Sequence, residues 1–166
     1  MSGFKLLVLT GMLSFLFLAG CGEKQELADY KENMTLFYTE IVATGEVMNA
    51  IVADSSDAVT SLLGSLDSMN RHFQYLASIE VPDEFSNTEA IADEASAYMN
   101  QAVSLYHDAY ASEEYKENLI SAAVQNYQAA MKRVGYIAIL LQGEIPEGAD
   151  VIMSEGEDTE LEPYSK

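Results

Sequence analysis

The chain of 166 residues contains no tryptophan, a single cysteine and three prolines. One cysteine cannot form an internal disulfide, which excludes the small disulfide-stapled secreted class. The prolines stand at 82, 146 and 163 and leave long stretches open to uninterrupted helix. Basic side chains are scarce, with 8 Lys and Arg against 27 Asp and Glu and a formal charge of −19. That balance argues against nucleic acid, because neutralising phosphates needs a basic face. It also opposes flat adhesion to anionic lipid, while it favours solubility and attraction to cations or basic partners. No stretch reaches the ~18–20 apolar residues of a spanning helix. What the chain does have is a 49% share of hydrophobic residues, enough to bury one domain's core.

Chemistry-bearing motifs are missing as well. There is no Glu-x-x-His for a di-iron bundle, no Cys-x-x-Cys-His for haem attachment and no His-Glu-x-x-His for zinc. Gly-rich phosphate loops, a Gly-x-Ser-x-Gly elbow and a calcium-loop spacing are likewise not found. The two histidines, His72 and His107, fall on different helices. Equal helix lengths put them roughly 18 Å apart along the axis, too far to share a metal. Met34 or Met131 with His72 could be imagined as haem ligands, but methionines at seam positions are ordinary core filler. His107 and Asp108 are neighbours on one helix, so their side chains diverge by about 100°. The sequence therefore assigns no catalytic, cofactor-binding or metal-binding residue.

The apolar pattern is helical. Leu27, Tyr30, Met34, Phe37, Ile41, Thr44, Met48 and Ile51 follow spacings of 3 and 4. Asp-Ser-Ser-Asp at 54–57 interrupts the run and offers Ser55 or Ser56 as a helix cap. Val59, Leu62, Leu66, Met69, Phe73 and Leu76 continue the rhythm. Pro82 suits the first position of a third helix, with Asp83 and Glu84 in its first turn. Its seam is Ile91, Ala95, Tyr98, Ala102, Leu105 and Ala109. Ser112 reads as the cap of a fourth helix carrying Leu119, Ala123, Tyr127, Ala130, Val134, Ile137 and Leu141. Gly143 is its stop. The expected fold is all-α, an antiparallel up-down-up-down four-helix bundle over 27–143. Three longer helices are the rival arrangement. The tail 144–166 is acidic and expected to be largely disordered. Gly45, Gly64 and Gly135 lie inside helices and suggest close packing, while Tyr38, Tyr75, Tyr110 and Tyr136 lie off the seams as contact-surface candidates.

The lone cysteine is Cys21, and it follows Lys5, an apolar run from Leu6 to Leu18 of 13 residues, and then Leu18-Ala19-Gly20-Cys21. A core of that length suits a cleaved signal peptide rather than a transmembrane helix. The tetrapeptide resembles the bacterial lipobox at every position. The resemblance implies a bacterial lipoprotein: export, diacylglyceryl attachment at Cys21, and cleavage after Gly20. Residues 1–20 would then be the signal peptide and 21–26 a tether. The mature chain would carry 7 basic and 27 acidic side chains, a formal −20. Residue 22 is Gly and not Asp, so nothing favours retention at an inner membrane.

These readings lead to one expectation. The protein is a lipid-anchored, extracytoplasmic helical lipoprotein of the bacterial envelope, a non-enzymatic interaction or accessory module held at the membrane through Cys21, with an envelope protein as partner. The alternative is a small-ligand or cation-binding surface receptor, which requires a cavity lined by tyrosines and carboxylates. Topology adds a charge expectation: Lys24, Lys31, Arg71, Lys132 and Arg133 near the anchored end, and an acidic far tip.

Overall fold

The structure, a computed structural model, describes residues 25–111 and 116–146. Among these the fold is all-α, with four helices: α1 Gln25–Asn49, α2 Ala58–Ser78, α3 Glu89–Ala111 and α4 Glu117–Leu140. None is long and apolar enough to cross a membrane.

Consecutive helices pack side by side. Tyr75 near the end of α2 donates to Asn33 near the start of α1, at 2.9 Å. The Phe37 and Phe73 rings meet edge-on, 5.6 Å apart. His107, late in α3, meets Asp67 in the first half of α2, and Arg133, late in α4, meets Glu94 early in α3. Early residues of each helix thus face late residues of the next, a register compatible with the up-down-up-down expectation.

Most seam residues lie in the core. Phe37, Leu66, Met69, Phe73, Ile91 and Ile137 are almost completely buried. In α3 the off-seam Met99 is fully buried while the seam residues Tyr98 and Leu105 are half-buried. The α3–α4 pair is the most intimate of the bundle, because Ala95, Ala102, Ala123 and Ala130 are fully buried and let the backbones approach. By contrast α1 is held mainly to α2, through large rings and Met34.

Several boundaries differ from the sequence expectation. Helix α1 starts at Gln25, so two residues of the expected tether are helical. The α2 cap is Asp57 rather than Ser55 or Ser56, and it makes no side-chain capping bond. Ser55 instead closes the turn before it, its carbonyl accepting from the Ala58 amide. Pro82 does not open α3. It opens a 3₁₀ turn, Asp83–Thr88, in which Phe85 leaves helical geometry (φ −117°, ψ 19°). The early acids Asp83 and Glu84 therefore belong to that turn, and α3 begins seven residues later than expected. Ser112 lies outside the described residues.

Gly143 behaves as expected. Its φ is +77°, its amide donates to Leu140 and the Glu144 amide to Ile139. That bond pair is a Schellman closure, which favours glycine at the left-handed position. The expectation of close packing fails at Gly64 and Gly135, where an added Cβ would meet nothing within 4 Å; Gly45 is buried.

Candidate functional site

Cys21, with the rest of the expected signal peptide, lies outside the described residues, as does the tail beyond Pro146. The described residues offer an interior, a broad groove and two ends of the bundle.

The interior is apolar, and most of its polar groups are paired; Asn70 Oδ1 is the buried side-chain atom among the described residues that has no partner. Tyr30 and Thr88 hydroxyls lie 2.8 Å apart in the core, and Thr88 also donates to the Phe85 carbonyl at 2.8 Å. Thr88 has one proton, so Tyr30 must donate to it. The Tyr30 ring stacks on Phe85, and together these contacts fasten the start of α1 to the 3₁₀ turn. Tyr38 donates to the Val134 carbonyl at 3.2 Å, linking α1 to α4. Burial pushes the Tyr30, Tyr38, Tyr106 and Tyr127 hydroxyls above the ordinary tyrosine range. At Tyr30 the Thr88 hydrogen bond opposes the shift.

The off-seam tyrosines do not form a contact surface. Tyr136 is 7% exposed, with the Lys132 ammonium 5.4 Å from its ring centre. Tyr38 and Tyr75 are half-buried and spend their hydroxyls inside the bundle. Only Tyr110 of the four is exposed. A seam of spacing 3 and 4 marks the centre of a buried face; α4 buries a wider arc near its end, Tyr136, Ile137, Ala138 and Leu140 together.

The histidines are closer along the axis than equal helix lengths imply. His107 Nε2 lies 2.8 Å from Asp67 Oδ1, and Asp67 is five residues, about 7.5 Å of helix, from His72. The His107–Asp67 pair is about half exposed and stands alone. Among the described residues no group of three or more His, Cys, Asp or Glu is arranged to hold a metal ion.

A groove of about 310 Å³ runs between the outer faces of α1 and α2, open to solvent, lined by Thr44, Val47, Ser61, Gly64, Ser65 and Ser68. It has neither the tyrosines nor the carboxylates that the receptor alternative calls for. Two of the lining hydroxyls are already used within their own helix, Ser65 on Ser61 and Ser68 on Gly64.

Charge divides along the bundle in a way the sequence reading caught only in part. Lys24 lies outside the described residues; Lys31, Arg71, Lys132 and Arg133 do lie in the half that contains the start of α1. Yet Glu26, Asp29, Glu32, Glu80, Asp83, Glu84, Asp93 and Glu94 lie there too, so that half is not a basic face. Arg133 is already committed, to Glu94 at 3.0 Å and over the Tyr98 ring at 4.7 Å. The opposite end holds the α1–α2 turn. There Glu46, Asp54, Asp57, Asp108 and Glu117 are exposed, and among the described residues Lys116 is the single Lys or Arg. Val47, Val52 and Val59 project from the same end, 59%, 67% and 43% exposed.

Neither a protein-family model, nor a characterised protein, nor a solved structure matches this chain. The functional reading therefore rests on the residues themselves.

Proposed function

We propose that the protein is an extracytoplasmic lipoprotein of the bacterial envelope, anchored through a diacylglyceryl group on Cys21, whose helical domain is a non-enzymatic interaction or accessory module. The observation that carries the second half of this reading is the filled interior. Large side chains from all four helices are almost completely buried, and the tyrosine hydroxyls nearest the core are spent on internal bonds. A bundle packed in this way has its surface left for recognition. The anchoring half rests on the lipobox resemblance of Leu18-Ala19-Gly20-Cys21 and the apolar run before it. Two or three acyl chains hold a protein at a membrane stably, where one holds it only marginally.

The test combines anchoring and association. Intact-mass analysis of the protein from a bacterial host should find a chain beginning at a lipid-modified Cys21, and Cys21→Ser should move the protein out of the membrane fraction. Crosslinking on intact cells should capture a protein partner with the wild type, and lose it with Cys21→Ser. A chain that keeps residues 1–20 and a free thiol would end the anchoring half. An anchored protein that captures no partner would end the interaction half.

A further inference from the structure

The end of the bundle that holds the α1–α2 turn combines two features that rarely share one small surface. Seven large apolar side chains are exposed among the described residues, and four of them, Val47, Val52, Val59 and Tyr110, lie at this end. Single exposed valines are unremarkable, but their concentration is not. The last turn of α1 contributes Val47, the connecting turn Val52, the first turn of α2 Val59 and the last turn of α3 Tyr110. The remaining three, Leu36, Val124 and Ile145, are scattered elsewhere. Around the valines stand Glu46, Asp54 and Asp57, all exposed. Asp57 is the α2 cap position, yet its carboxylate makes no capping bond. That carboxylate is exposed to solvent.

We infer that this end docks a basic amphipathic segment of a partner protein, its apolar side on Val47, Val52 and Val59 and its Lys or Arg residues facing Glu46, Asp54 and Asp57. The inference rests on the interaction reading above and adds to it a place and a partner chemistry. Charge decides among the occupants. A second copy would bring the same carboxylates against themselves, in a chain of formal charge −19, and like charges set opposite each other repel. The chain's own tail, Ser-Glu-Gly-Glu-Asp at 154–158, is acidic and excluded for the same reason. An anionic bilayer repels this end too. A segment that is basic at its rim and apolar at its centre satisfies both features at once.

The test uses the full-length lipidated protein in detergent and a labelled 20-residue Lys/Leu amphipathic helix as probe. Beside it run a scramble of equal charge without an apolar face and a Glu/Leu helix. The Lys/Leu helix should bind, and the scramble and the acidic helix should bind at least about tenfold more weakly. Val47→Ser with Val52→Ser should weaken binding about tenfold, and Asp54→Asn with Asp57→Asn should weaken it and flatten its salt dependence. Leu36→Ser and Val124→Ser, also exposed but elsewhere, should leave it unchanged. Equal binding of the scramble, or equal loss in the Leu36 and Val124 variants, overturns the inference, because attraction would then be diffuse. A photo-crosslinking residue placed at position 52 or at position 124 in cells separates the two levels of argument. Capture through position 52 of a protein with a basic amphipathic segment supports the inference. Capture through 124 alone, or of a second copy through 52, overturns the docking end and leaves the interaction reading standing. Capture through neither position removes both.

Discussion

Replacing Thr88 with valine tests the core chemistry with a sign that packing alone cannot imitate. Thr88 is 1% exposed and Tyr30 is 2% exposed, and their hydroxyls are 2.8 Å apart. The Thr88 proton goes to the Phe85 carbonyl, so Tyr30 is the donor to Thr88. Thr88→Val keeps the shape and removes the acceptor. The Tyr30 hydroxyl is then a buried donor with no partner, at about 1–3 kcal/mol. Phe85 loses one accepted bond, at a residue that is itself only half-buried. Tyr30→Phe removes the donor and leaves the Thr88–Phe85 bond intact, so it costs about 1 kcal/mol. In the Thr88→Val background, Tyr30→Phe removes the orphan itself. The double variant should therefore be more stable than Thr88→Val alone, by about 1 kcal/mol. Urea unfolding followed by far-ultraviolet circular dichroism measures this, with equal m-values confirming that only stability changed. A double variant less stable than Thr88→Val, or a Tyr30→Phe variant that costs more than Thr88→Val, would refute the assigned direction of the bond.

Three further outcomes follow from the same geometry. Gly64→Ala and Gly135→Ala should each raise stability by about 0.5–1 kcal/mol, since both sit inside helices with open space at the Cβ position, whereas Gly143→Ala, at a φ of +77°, should lower it by about 1 kcal/mol; thermal melts of the three separate the cases. Alkaline titration should destabilise the domain. Tyr30, Tyr38, Tyr106 and Tyr127 have folded pKa values raised by burial, so above about pH 10 the unfolded chain releases protons that the folded one keeps. Stability is then flat below pH 9 and falls as pH rises through the folded values, and tyrosinate absorbance at 295 nm should lag behind that of free tyrosine until the helices melt. Arg133→Lys should cost about 1 kcal/mol, because lysine loses the hydrogen bond from Nε to Glu94 and stacks more poorly on Tyr98; Glu94→Gln should cost less, and a melt that ranks them the other way would count against the stacking.

The helices were legible because spacings of 3 and 4 record burial directly. Tyr30, Met34, Phe37 and Ile41 in α1, and Leu66, Met69, Phe73 and Leu76 in α2, are the residues the pattern marks and the residues the core contains. The Gly143 stop was legible because only a left-handed position explains glycine just past an apolar run. The 3₁₀ turn was not, since Pro82 followed by Asp-Glu reads equally well as the start of a helix. What decides against that helix is Thr88 and Phe85 reaching back to Tyr30, 58 and 55 residues away in the chain. Tyr136 was missed for a related reason: periodicity finds the middle of a buried face and not its width. The docking end hid in the turn, where Val52 has no periodic neighbours to mark it.

The uneven fastening of α1 has a mechanical consequence. It holds mainly to α2, while α3 and α4 grip each other closely through alanine. Any tension that arrives through the residues before Gln25 is applied at the outer end of the least held helix. The load reaches the Tyr30–Thr88 bond and the Tyr30–Phe85 stack before it reaches the phenylalanines. Those two contacts act as a latch, and once they part α1 can unzip from α2 one turn at a time. The α3–α4 pair would remain closed until last. Pulled from that side, the domain should yield in steps at low force, with the first step set by a single buried hydroxyl.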